Sequence, residues 1–184
     1  MNHQKEWLYK NNKDNTIRYV LGTKGSTPLI CFGINPSTAS PEQLDNTLKS
    51  VQRIAFHNGF DSWIMLNIYP QRATDPNDMH TTLDASIHKN NLAHIQQLLG
   101  QIARPTLWAA WGTLIEKRPF LLSCLNDIHK KTMNHACQWV TFGNKSAKGH
   151  PHHPLYLPAA STPDQFNIQN YLRERLSYRR YNAY

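Results

Sequence analysis

An asparagine, an arginine and a cluster of histidines carry the chemical interest of this chain. Asn35 ends the stretch LICFGIN, where it meets Pro36, Ser37 and Thr38. A side-chain amide brings donors and an acceptor together, so it can orient a water or read the edge of a base. The plainer alternative is that Asn35 and Ser37 only cap a turn and the helix after it. Arg72, in NIYPQRATDP, has the planar fork that grips phosphate, or it holds its own loop by pairing with Asp75. Tyr69, in the same loop, offers a flat face to a base. The segment GNKSAKGHPHHPLYL gathers Lys145, Lys148, His150, His152 and His153. These histidines read in three ways: as hydrogen-bonding or electrophilic groups at an anionic site, as metal ligands, or as surface residues of a freely varying loop. Pro151 and Pro154 stiffen the backbone there, and no carboxylate or cysteine is near in sequence, so no metal or cofactor is expected. The phosphate-loop order, the Gly-x-Ser-x-Gly elbow and the dinucleotide fingerprint are all absent.

The elements that would position these residues alternate along the chain. Residues 16–22 (TIRYVLG) read as an edge strand. Continuous apolar runs at LICFGI, SWIMLNIY, TLWAAWG and CQWVTFG read as strands covered on both faces. Helical spacing runs from Glu42 to His57, through Leu83, Ile87, Ile95, Leu98 and Leu99, around TLIEKRPFLLSCLNDIHKK with a kink or restart at Pro119, and from Gln165 to Leu176. Strand–helix alternation predicts a three-layer α/β/α sandwich with a mainly parallel, four-stranded sheet. Ligands of such sheets bind beyond the strand carboxyl ends. The loops beginning at Asn35, Asn67, Gly112 and Gly143 are therefore the ones to watch, and Asn35, Arg72 and His150 are expected to converge on one cleft. Trp108 and Trp111, three apart on one strand, should point to opposite faces as core residues.

The chain has 184 residues, 40% of them hydrophobic, and a formal charge of +8. This suits a single domain spanning 1–184 with a real core and excludes a disordered chain. The charge favours anionic partners, with a nucleic acid or nucleotide expected, and the basic-aromatic tail at 177–184 (SYRRYNAY) adds to it. No apolar run approaches the roughly 20 residues that span a bilayer, and the polar amino end lacks a signal-peptide core. No membrane contact is expected, and the location is read as cytoplasmic, or nuclear where the host has a nucleus. Three scattered cysteines make no disulfide framework.

The ordered set FGINPSTAS, DNT, NIYPQRATDP, WAAWG and KGHPHHPLYL resembles the family called domain of unknown function 1643 over roughly residues 28–158. Asn46 stands where the family usually has the proline of DPT. A remoter resemblance is to the uracil-DNA glycosylase superfamily, above all its mismatch-specific branch. FGINPS is similar to its first motif, WAAWG to its third-strand motif, and HPHHPL to its histidine loop. Ser37 takes the place of a glycine, and the histidine loop is one residue longer, so its histidine maps onto His150 with an insertion, or is replaced by Pro151 if Pro154 and Leu155 set the register.

That resemblance implies an uracil-DNA glycosylase-like fold and hydrolysis of a base–sugar bond. Such a reaction needs a positioned water on one side of the sugar and hydrogen-bond donors on the departing base. By resemblance, Asn35 would hold the water and His150 or His153 would donate to the base. Phe32, Tyr69 or Trp111 would stack on it, and Leu155 would fill the gap left by a flipped nucleotide. Arg72, Lys145 and Lys148 would contact phosphates, and Gly33, Pro36, Ser37 and Asn67 complete the expected binding set. The alternatives are a module that binds a nucleotide without cleaving it and an interaction protein that kept only the fold.

Overall fold

The structure, a computed structural model, describes residues 6–181, with side chains as far as Tyr178. Its sheet has seven strands in the order β1-β2-β4-β3-β5-β6-β7. The strands are β1 (Trp7–Asn11), β2 (Arg18–Thr23), β3 (Pro28–Gly33), β4 (Ser62–Asn67), β5 (Thr106–Ala109), β6 (Gln138–Phe142) and β7 (Pro163–Gln165). The expected four-stranded sheet is therefore too small. Its members β3 to β6 are parallel to their neighbours in this group and form the centre. Antiparallel strands widen it on both sides.

Two of the extra strands, β1 and β7, escaped the sequence reading for physical reasons, and β2 was read as a strand but in the wrong place in the sheet. β1 is a short strand inside a polar segment, yet Trp7 and Tyr9 pack against one core cluster and Leu8 against the other, as alternation across a sheet requires. A tight turn joins it to β2: Asn15 adopts φ 53°, which asparagine tolerates better than most residues, and Asn12 Oδ1 accepts the Ile17 N–H at 2.8 Å. β2 is thus an inner strand and not the expected edge. β7 is three exposed residues with no apolar signal.

Four helices cover the two faces: α1 (Asn46–His57), α2 (Ala85–Leu99), α3 (Leu121–Thr132) and α4 (Ile168–Tyr181). α1 starts four residues later than its apolar spacing suggests, because Asp45 caps it by accepting the Leu48 N–H at 2.8 Å. Its buried stripe of Leu48, Val51, Ile54 and Ala55 packs with Leu29, Cys31, Trp63, Met65 and Trp108 on one face of the sheet. The other face carries Ile30, Phe32, Leu66 and Leu107 under residues of α2, α3 and α4. Trp108 and Trp111 fall into opposite clusters, as expected. The segment through Pro119 is a restart: a 3-10 turn at Gly112–Glu116 precedes α3. Residues 177–181 of the basic-aromatic tail continue α4; residues 182–184 lie outside the described residues. Among the described residues no helix is long and apolar enough to cross a membrane.

Gly22 sets the spacing between β2 and β4. A Cβ there would lie 2.4 Å from the Trp63 carbonyl oxygen and 2.7 Å from the Ile64 Cα, both rigid backbone. Gly22→Ala should therefore destabilise the protein by about 1–3 kcal/mol, the usual cost of overpacking, read as a lower midpoint in urea unfolding. An unchanged midpoint would refute the β2–β4 register.

Candidate functional site

The carboxyl ends of β3 and β4 are stitched together beyond the strands. Ile68 N–H donates to the Gly33 carbonyl, Tyr69 N–H to that of Ile34 and Ala73 N–H to that of Pro36, each at 2.9 Å. This fixes the Asn35 backbone, and two further bonds fix its side chain. Asn35 Nδ2 donates to the Pro36 carbonyl at 3.1 Å and to the Ala73 carbonyl at 2.8 Å. Both partners are acceptors, so the nitrogen must face them, and among the described residues Oδ1 is left as the free acceptor of a residue that lines a cleft.

That cleft, of about 140 Å³, is lined among others by Arg18, Gly33, Asn35, Ser37, Asp45, Thr47, Thr74 and His153. Ser37 and Thr74 meet through their hydroxyls at 3.3 Å. Asp45 brings the carboxylate that caps α1. Behind the cleft wall, the side chain of Asn67 is fully buried and neither its nitrogen nor its oxygen has a partner among the described residues. A second, wider cavity of about 460 Å³ adjoins, sharing Leu114 and His153 with the first. Its walls include Trp111, Pro151, His152, Leu155 and Tyr156. Leu155 is 43% exposed and Tyr156 76%, so the rim is apolar and open.

His153 stands between the two cavities. Its Nδ1 accepts the Leu155 N–H at 3.4 Å, which leaves Nε2 to carry the proton of the neutral ring. Burial pushes its pKa below the ordinary histidine value, although Asp45 pulls the other way. At neutral pH it is an uncharged donor.

His150 is elsewhere. It is 1% exposed, and both ring nitrogens are taken: Nδ1 lies 2.7 Å from Tyr171 Oη and Nε2 lies 3.0 Å from Glu116 Oε1. Lys148 holds the other Glu116 oxygen at 2.7 Å, and Trp111 Nε1 donates to Tyr171 Oη at 3.1 Å. The carboxylate only accepts, so Nε2 carries the hydrogen of the neutral ring and Tyr171 donates to Nδ1. Burial lowers the His150 pKa, and the hydrogen bonds from Lys148 and His150 lower that of Glu116. This network borders a different cavity of about 620 Å³ with Arg175 and Tyr178. The expected convergence of Asn35, Arg72 and His150 is thus replaced by a pairing of Asn35 with His153.

The other expected site residues divide in the same way. Gly33 and Ser37 line the narrow cleft, and Leu155 the wide groove; Pro36 is buried and receives the Asn35 amide. Arg72 does not reach the cleft. It ties the loop down by donating to the Ser37 and Ala39 carbonyls and to Tyr9 Oη. Phe32, Tyr69 and Trp111 are fully buried and packed on other rings, so none is a free stacking platform. Lys145 lies over the Phe166 ring at 5.9 Å, and Lys148 is spent on Glu116. Sequence reasoning missed Arg18, Asp45, Thr74 and Tyr156. Asp45, Thr74 and Tyr156 left a signal, inside the motifs DNT, NIYPQRATDP and HPLYL, and Arg18 left none.

Burial lowers four histidines together: His94, His129, His150 and His153. A histidine whose folded pKa lies below its unfolded value of about 6.5 takes up its proton first in the unfolded chain. The stability these four contribute is complete above that value and is lost as pH falls towards the folded values. The melting temperature should therefore fall between about pH 7 and pH 5, before most carboxylates titrate. A flat profile over that window would contradict it.

No curated protein and no solved structure matches this chain. One family model does, over residues 18–155, which takes in the cleft, both histidines and the Asn35 loop. On that match the chain belongs to the family described as "Protein of unknown function (DUF1643)".

Proposed function

We propose that the protein recognises a nucleotide and hydrolyses its base–sugar bond at the Asn35–His153 cleft. The observation that carries this reading is the locked Asn35 amide, whose two donors are spent on carbonyls while its acceptor is left over. A water held by Oδ1 adds to the anomeric carbon as the C–N bond breaks, and the bonding pair leaves with the base. A proton of the water passes to solvent. Asn35 is a weak base, but a cationic, oxocarbenium-like sugar asks little of its nucleophile. The Asp45 carboxylate in the same cleft favours that cation, and the neutral His153 donor favours the anionic base. The apolar groove beside His153, with exposed Leu155 and Tyr156, suits a base face. The resemblance to uracil-DNA glycosylases points to the same chemistry, through Asn35 and the histidine loop, and to a fold of that type around β3 to β6.

A second reading is a module that binds without cleaving. The open, apolar groove favours it, since such a surface serves binding whether or not a bond breaks. Incubation with nucleosides, nucleotides and single- and double-stranded oligomers, with released base read by mass spectrometry, separates the two. Released base that depends on Asn35 supports hydrolysis. Retained nucleotide without any product leaves only the binding module.

A further inference from the structure

We infer that the narrow cleft holds a terminal phosphoryl group against Arg18, so that the ligand is a free nucleoside monophosphate rather than an internal stretch of nucleic acid. This rests on the nucleotide reading above and names its substrate class.

Arg18 is a cation inside the protein. It is 2% exposed, lines the cleft, and makes no ion pair among the described residues. Its Nη1 donates to the Ala39 carbonyl at 3.0 Å, and its Nε has no partner. Arg72 donates to the same carbonyl, so two guanidinium groups meet on one oxygen. Burying the Arg18 charge is costly, and a half-buried charge of like sign beside it adds to the cost, unless an opposite charge joins them. Asp45 lines the same cleft and favours the Arg18 charge, but it makes no ion pair with Arg18 and its Oδ1 is taken by the cap of α1.

The rest of the cleft fits a phosphoryl group. The first turn of α1, a helix of 12 residues, borders it through Thr47 and Leu48; that end of a helix favours anions, with the Leu48 N–H already given to Asp45. Ser37, Thr47 and Thr74 supply hydroxyls that donate to phosphate oxygens. Size then selects the class. A space of about 140 Å³ with a buried arginine in its wall has room for an end group. A polymer would need the strand to continue past it. The wider groove beyond His153 takes the base.

The test is calorimetric titration of the full chain with nucleosides, their 5′- and 3′-monophosphates, ribose 5-phosphate and single-stranded oligomers lacking terminal phosphate. A monophosphate should bind roughly tenfold to a hundredfold tighter than its nucleoside, the range for hydrogen bonds to a charged group. Arg18→Lys, which keeps the charge but loses the fork, should remove most of that ratio. If Arg18 variants do not fold, the wild-type ratio decides alone. Equal affinity for nucleoside and monophosphate overturns the inference, as does tighter binding of the unphosphorylated oligomers, or no binding of any probe. Arg18-dependent binding of ribose 5-phosphate with nothing gained from a base would keep the phosphoryl site and remove the nucleotide reading. Base release from nucleosides with no gain from phosphate would do the reverse.

Discussion

Asn35→Ala should slow base release roughly 10²-fold, the scale of losing the positioning of one reacting group. The side chain offers one free acceptor to the cleft because both its donors are spent on the Pro36 and Ala73 carbonyls. Removing it unties the water and also removes two internal bonds, which costs about 1–3 kcal/mol of stability. Turnover must therefore be measured well below the melting temperature of the variant, with near-ultraviolet circular dichroism as the check on folding. Asn35→Asp separates the two effects. It keeps the shape but turns an oxygen towards two carbonyl oxygens, so it should lose at least as much stability while still presenting an acceptor. A folded Asn35→Ala that releases base at the wild-type rate would end the hydrolytic reading and leave the binding module in its place.

The central half of the fold was legible because burial on both faces writes itself as unbroken apolar runs. LICFG, SWIMLN, TLWA and WVTF became β3, β4, β5 and β6, and the helices between them carry apolar residues at helical spacing. The outermost strands, β1 and β7, were not legible, because an edge strand needs few apolar contacts. β1 makes its contacts through Trp7, Leu8 and Tyr9, inside a polar segment. β7 shows no apolar contact in its pattern at all.

The site was legible to a similar degree and for a related reason. Asn35 stands out because a polar side chain directly follows a buried strand, and the fold class says what such a position is for. Proximity to a strand end does not say which side of the sheet a residue faces or how deep it lies. Phe32, Tyr69 and Trp111 share that neighbourhood with Asn35 and are core. Arg18 failed the other way. An arginine in an alternating strand reads as solvent-facing, and only the Ala39 loop folded over it, held there by Arg72, makes it a buried group at the cleft. The resemblance left His150 and His153 open to the same donor role, and their hydrogen bonds distinguish them.

Two substitutions in that loop should separate cleanly. His153→Ala removes a neutral donor from the boundary of the two cavities. Base release should fall roughly 10²–10³-fold, as for one donor lost from a developing anion. Stability should change little, since its one hydrogen bond among the described residues is a 3.4 Å contact to Leu155 N. His150→Ala does the opposite. It strips the central member from the chain Trp111–Tyr171–His150–Glu116 and leaves a space inside it. The loss should be about 2–4 kcal/mol in urea unfolding, the sum of one neutral and one charged hydrogen bond, towards the lower end because Glu116 is half in solvent and keeps Lys148. Turnover per folded molecule should stay close to that of the wild type, because the His150 ring nitrogens face Tyr171 and Glu116 rather than the Asn35 cleft. Were His150→Ala to keep its unfolding midpoint and lose turnover, the two histidines would have to exchange roles, and the site would move to the cavity that Glu116 and Arg175 border.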